Sequence, residues 1–321
     1  MRILICGATG VIGRYAAPLL VQAGHDVTAL VRSEPRADMA RAWDARPISG
    51  DILVPQSLHA ACAGQDVVIN LATSLPRTFP GKPGDFAMND RIRREGTANL
   101  LLACEKAGVK RLVQESMIWV HGDQWGAWID EDAPLKPGIL ARSAVDMESQ
   151  VNHHAARTGM TTALLRCGGL YAAEAWHIRE IIDRLRRRLV PVIGHGDNFQ
   201  CFIHAADAAA AFARAAAGNG TGAYFVTDDE PLRLGDYLRW LAKAVRAPEP
   251  IRIPQFVARM TLGSEMAEAY GASLRCRNNR LRDAFGWVPR YPTTARGYAE
   301  VLPRLMGGEG QGRTARDGDG N

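Results

Sequence analysis

The chain has 321 residues, 47% apolar and 23% charged, with a formal charge of +5. It is long enough to bury a core without disulfides or metal staples. No stretch is long and apolar enough to span a bilayer, the six cysteines (Cys6, Cys62, Cys104, Cys167, Cys201, Cys276) show no CxxC or metal spacing, and the densest cationic run (Arg184, Arg186, Arg187, Arg188) reads as a solvated helix face, so membrane, metal and nucleic-acid readings are set aside.

The opening Met1-Arg2-Ile3-Leu4-Ile5-Cys6 is a short apolar run followed by glycine. It does not have the pattern of a signal peptide, and a cytoplasmic location is expected. From there β-rich runs alternate with helical patterns. Strands are expected over Arg2–Cys6, Asp26–Val31, Ala45–Ser49, Asp66–Asn70, Arg111–Glu115 and Thr162–Arg166. Helices are expected over Val11–Ala23, Gln56–Ala63, Asn89–Ala107 and Ala141–Arg157. That order implies an α/β fold, a doubly wound parallel sheet with helices on both faces. Beyond Arg166 the pattern loosens. A helix is expected over His177–Arg188, a strand over Phe199–Ile203, a helix over Ala205–Ala217, a strand over Ala223–Thr227, and helices over Leu232–Arg246 and Gln255–Ala269. The expected organisation is a dinucleotide-binding Rossmann domain over 1–172, its sheet completed from within 199–230, and a smaller interleaved substrate lobe over 173–306. A disordered Gly-rich tail is expected over 307–321.

The strongest chemical signal follows the first strand. Gly7-Ala8-Thr9-Gly10-Val11-Ile12-Gly13 places a glycine at every third position just before a helical pattern. The first permits a tight turn, the second lets backbone approach a pyrophosphate, and the third lets the helix pack closely on the sheet. Free N–H groups and the helix dipole then favour phosphate. A nicotinamide dinucleotide is the expected cofactor. A carboxylate about 20 residues on would accept from a ribose 2′-hydroxyl, but Leu30-Val31-Arg32-Ser33 stands there. Arg32 can pair with a 2′-phosphate, Ser33 adds a donor, and Arg14 could reach the same group. NADP(H) is therefore favoured over NAD.

These segments resemble the extended and atypical short-chain dehydrogenase/reductases, which include the NAD-dependent epimerase/dehydratases. The resemblance runs from Met1 to about Leu302. It rests on the glycine turn and on Gly50-Asp51-Ile52, which resembles the adenine-contacting segment. Asn70-Leu71-Ala72-Thr73 resembles the end of the fourth strand beside the nicotinamide ribose. Gly96-Thr97-Ala98-Asn99-Leu100-Leu101, Val109-Lys110-Arg111-Leu112-Val113, Ile203-His204-Ala205-Ala206-Asp207 and Phe285-Gly286-Trp287-Val288-Pro289 also carry it. It adds Asp51, Ile52, Leu71, Ala72 and Thr73 to the expected cofactor contacts.

The resemblance also implies a Tyr-x-x-x-Lys pair and a Ser or Thr after the fifth strand, which together move a proton at the substrate oxygen. None of the tyrosines has Lys four residues on. Glu148 and Gly122 set the register, and the three positions fall on Leu140, Ala144 and Met117, which cannot polarise a carbonyl. An Arg that grips a sugar diphosphate is also absent from Gln200-Cys201-Phe202-Ile203. Substitute proton donors are His121, Ser116 and Tyr171, with Trp119, Trp125 and Trp128 suggesting a flat or apolar ligand. Glu115 and Asp146 are read as structural, and His153-His154 lack a third ligand.

The leading expectation is an NADP(H)-dependent oxidoreductase acting on a small, aromatic or apolar molecule. Hydride transfer needs a well-placed nicotinamide more than it needs tyrosine. The alternatives are a catalytically inactive cofactor sensor or scaffold, and an epimerase or dehydratase using unfamiliar groups. The expected partner is a small-molecule substrate, and a homodimer is the assembly to test.

Overall fold

Seven strands form one parallel sheet in the computed structural model, which describes residues 1–77 and 81–307. They are β1 (Arg2–Cys6), β2 (Asp26–Val31), β3 (Arg46–Ser49), β4 (Val67–Asn70), β5 (Arg111–Met117), β6 (Thr161–Cys167) and β7 (Gly222–Val226). Their order in the sheet is β3-β2-β1-β4-β5-β6-β7. Runs such as Val67-Val68-Ile69 are apolar on both faces because helices cover both faces. One face packs on α1 (Gly13–Gln22) and α2 (Glu34–Arg41), and the other on α3 (Pro55–Cys62).

Next come α4 (Ala87–Arg91), a π turn (Ile92–Gly96), α5 (Thr97–Ala107), α6 (Arg142–Thr158), α7 (Trp176–Arg186) and α8 (Ala205–Ala217). Ile3, Ile5, Val113 and Leu165 meet Phe212 of α8, while Leu4, Val68 and Leu112 meet Leu100 of α5 and Val151 of α6. Each such apolar side chain, fully buried, stabilises the fold by about 1.5–3 kcal/mol.

The helix expected over Asn89–Ala107 is interrupted by the π turn. It ends at Gly96, where a Cβ would lie 2.9 Å from Ile52 Cγ2, so the chain passes against the loop between β3 and α3. The chain runs β1, β2, β3 to one side and then returns to β4 on the other side of β1, which makes the gap between β1 and β4 the switch point.

The second half of the chain adds α9 (Leu234–Ala244), α10 (Gln255–Leu262), α11 (Ser264–Gly271), α12 (Asn279–Phe285) and α13 (Thr294–Gly307). Ile178 and Ile182 of α7, Leu241 of α9, and Tyr298 and Val301 of α13 share a separate core, while Leu281 and Phe285 of α12 join the core on the α1 and α8 face of the sheet. The helix expected over Gln255–Ala269 breaks at Gly263, whose φ of +82° suits glycine. The expected strand Phe199–Ile203 divides. Phe199–Gln200 pairs antiparallel with Leu232–Arg233, and Phe202–His204 pairs parallel with Gly169–Tyr171, neither in the main sheet. The expected tail over 307–321 lies, after Gly307, outside the described residues.

Among the described residues no helix is long and apolar enough to cross a membrane, and no cluster of metal-ligand type is present.

Candidate functional site

The glycine turn is built for close approach. Gly7 has φ +80°, and a Cβ on it would lie 2.6 Å from the Leu71 carbonyl oxygen at the end of β4. A Cβ on Gly13 would lie 2.3 Å from Gly7 O and 2.4 Å from Ala8 O. These two glycines are required by the protein itself. Gly10 differs: it is exposed, and its Cβ would meet only Gly7 O, at 3.1 Å. The space beyond Gly10 is thus left open at the head of a ten-residue helix whose N-cap, Ile12, provides no side-chain acceptor. Unsatisfied amides at that end suit a diphosphate. Thr9 and Ile12 are buried in the turn, and Val11 is half-buried at its rim.

Arg32 and Ser33 lie exposed at the end of β2. Arg32 leans 3.7 Å from Asp51, a loose pair with 60% of the arginine side chain open. Arg36, one turn into α2, donates from Nη1 to Thr9 Oγ1 at 2.9 Å, and Arg14 donates from Nη2 to Thr9 O at 3.4 Å. Two guanidiniums therefore bond to Thr9, and a third, Arg32, leans on Asp51 next to Ser33 in the chain. Sequence reasoning missed Arg36. The signal was its place in the first turn of the helix that starts just after Arg32-Ser33. Ile52 is buried beside Gly96, and the Ala72 amide donates to Asn70 Oδ1 at 3.2 Å. Leu71 is buried and Thr73 exposed.

Past the end of β5, Met117 packs with Val120, Ala141 and Ala144, and Leu140 is half-buried just before α6. Met117, Leu140 and Ala144 are the residues that the family resemblance sets at the three proton-handling positions, and all are apolar.

Ser116 and His121 belong to one buried network. Ser116 Oγ donates to Glu148 Oε1 at 2.5 Å. Arg166 donates to both Glu148 oxygens, at 3.0 and 2.7 Å, and from Nη1 to His121 Nε2 at 3.0 Å and to Glu131 O at 3.1 Å. A guanidinium only donates, so His121 Nε2 accepts and the imidazole is neutral. Burial, reinforced by the Arg166 charge, pushes the His121 pKa down to about 4. Tyr171 lies apart from this network. It is fully buried, stacks on Tyr298 with centroids 4.8 Å apart, and its hydroxyl has no partner among the described residues. Burial drives its pKa far upward.

Trp119 is half-buried and donates to Gln200 Oε1 at 3.2 Å. Trp125 is 84% exposed, and Trp128 is stacked by Arg275, 4.4 Å from its ring centroid, so these two face outward. Asp146 pairs with Arg94 at 2.6 Å on the surface.

The fold and this turn define a dinucleotide-binding α/β protein. The family model for the NAD dependent epimerase/dehydratase family matches residues 3–225, and the chain belongs to that family. A 3-diazoavenalumate denitrifying reductase from a Streptomyces species is 34% identical over 304 residues, covering 91% of this chain and 97% of the relative. A 4-hydroxy-2-methyl-3-oxo-4-farnesyl-3,4-dihydroquinoline-1-oxide ketoreductase from Stigmatella aurantiaca is 29% identical over 246 residues, 75% of this chain and 72% of the relative. A human epimerase family protein solved with NADPH superposes with a TM-score of 0.76 at 21% identity, covering 94% of this chain and 99% of that one. The chain thus carries the NAD(P)-binding fold of its family, and its relatives include reductases.

Proposed function

We propose that this protein is an NADP(H)-dependent reductase that delivers hydride to a small aromatic electrophile needing no proton from the enzyme, of the arenediazonium class. One observation carries the reading: the phosphate cradle is intact, while Met117, Leu140 and Ala144 leave the proton-handling positions apolar. When bound, the cofactor supplies hydride. For a diazonium acceptor the balance is Ar–N2⁺ + H⁻ → Ar–H + N2, and the departing nitrogen replaces any need to protonate an oxygen. A ketone would leave an alkoxide that Met117 and Leu140 cannot protonate. The Streptomyces relative, named for reductive loss of nitrogen from a diazo compound, supports this class.

Cofactor choice is part of the proposal. Arg14 and Arg36 bond to Thr9, and Arg32, loosely paired with Asp51, stands exposed beside Ser33 at the end of β2; these cations support a 2′-phosphate there. Residues 1–172 carry the cofactor, and 173–306 mainly close over the substrate. His121 and Ser116 act as positioning residues that fix the end of β5 through Arg166 and Glu148. Tyr171 packs the lobe.

The test is stopped-flow oxidation of NADPH by benzenediazonium, with nitrogen release measured, beside NADH and a ketone panel. The expected result is turnover with the diazonium, little with ketones, and preference for NADPH. Arg36→Ala is expected to weaken NADPH binding about tenfold or more, the scale of one charge-assisted hydrogen bond, with NADH unchanged. Tight NADPH binding with no turnover on any acceptor would favour a cofactor sensor or scaffold instead.

A further inference from the structure

β5 lies inside the sheet, between β4 and β6. A side chain on it can meet open space only at the carboxyl end of the strands, where the crevice lies. Glu115 does so: it is deep in the protein yet part-exposed, while Gln114 and Ser116 beside it are buried. Ser116 faces α6 through Glu148, so strand alternation turns Glu115 to the opposite face, with Val113 and Cys167. No donor among the described residues is in hydrogen-bonding reach of its carboxylate. Gln114 donates only to its backbone oxygen. A part-exposed carboxyl group near the carboxyl end of the sheet without a partner points to something that comes from outside.

The sheet order says what that is. The adenine half of a dinucleotide would lie over the ends of β2 and β3, on the side of Arg32 and Ile52, with the diphosphate at the glycine turn. The other half would then pass the switch point toward β4, β5 and β6. We infer that Glu115 is the counter-charge of the crevice, a carboxylate set against a delocalised organic cation at the nicotinamide end, either the oxidised nicotinamide ring or the cationic end of a substrate. This rests on the cofactor part of the function proposed above and not on its substrate.

The surrounding groups make the carboxylate responsive. Burial raises its pKa to about 7, Arg93 on the π turn draws it down, and Glu148 on α6 pushes it up. Glu148 is itself paired with Arg166 of β6, and the other titratable neighbour is the Cys167 thiol, pushed up by burial. Arg93 is 3% exposed and its Nε has no partner among the described residues, so it contributes a fixed positive field. A cation bound at Glu115 favours the ionised form. For a group near 7 that ionises on binding, affinity falls about tenfold between pH 8 and pH 6.

The experiment is calorimetric or fluorescence titration of wild type, Glu115→Gln and Glu115→Asp with NADP⁺ and with NADPH at pH 6 and pH 8. Phenyltrimethylammonium, with neutral tert-butylbenzene as control, is titrated onto the NADPH complexes. In wild type NADP⁺ is expected to bind about tenfold more tightly at pH 8 than at pH 6, with NADPH changing less than about twofold. Glu115→Gln is expected to remove that contrast, and Glu115→Asp to keep most of it. If the glutamine variant shifts only the cationic aryl probe, the cation is the substrate's. Equal pH behaviour of both cofactor forms and both aryl probes in wild type overturns the inference, and this arm needs no variant to fold. A protein that turns over no diazonium but keeps the NADP⁺ contrast refutes the reductase reading and leaves Glu115 in place.

Discussion

Arg166→Met tests the buried network that holds the end of β5. The guanidinium side chain is 6% exposed and the Glu148 carboxylate 3%. Arg166 makes two hydrogen bonds to Glu148, one to His121 and one to the Glu131 carbonyl. With methionine there, Glu148 keeps only Ser116 as a partner and becomes an uncompensated buried charge. Breaking such a pair costs roughly 3–5 kcal/mol. For a chain of 321 residues each kcal/mol moves the melting temperature by about 1.5 °C, so a fall of roughly 4–8 °C is expected. Adding Glu148→Met removes the stranded charge, and the double variant is expected to recover at least half of the loss. Thermal and urea unfolding of both variants beside wild type measure this. A loss below about 1 kcal/mol, or a double variant no better than the single, would refute the view that charge pairing rather than packing governs this site.

Two further outcomes follow from the geometry. Gly13→Ala places a methyl against two backbone oxygens, at 2.3 and 2.4 Å, and is expected to destabilise the fold by about 1–3 kcal/mol; Gly10→Ala meets only one contact, at 3.1 Å, and is expected to keep the melting temperature while losing NADPH-induced stabilisation. His121, with its pKa lowered to about 4, binds a proton in the unfolded chain but not in the folded one between about pH 6.5 and 4. Its contribution is full above that window and lost as pH falls through it, about 3 kcal/mol in all, and His121→Phe is expected to flatten that part of the stability–pH curve. Glu115 and Asp228 slope the other way, their pKa values raised by burial to about 7 and about 8, so only the difference between variant and wild type isolates the histidine.

Much of the architecture is written locally. Val67-Val68-Ile69 can be read as a both-faces-buried strand because its neighbours in sequence suffice to show the pattern, and the Gly7, Gly10, Gly13 spacing carries its backbone meaning within seven residues. The same holds for the family and for the missing Tyr-x-x-x-Lys pair. The segment at Leu232–Arg233 shows the limit. Read as the start of a helix, it is a short strand because Phe199–Gln200 lies alongside it.

The site was less legible where it depends on distant partners. Ser116, His121, Glu148 and Arg166 span 51 positions, and nothing local tells a proton donor from a structural acceptor. Arg166, a cation inside an apolar strand, was the available signal, since a buried charge requires a partner.

Sequence alone determined the alternation of strands and helices, the phosphate turn and the apolar character of the proton-handling positions, because each depends on residue type at short spacing. Tertiary structure alone decided which ionisable groups are paired and that Glu115 is left without a partner among the described residues, because burial and charge pairing are set by elements that the chain brings together only on folding.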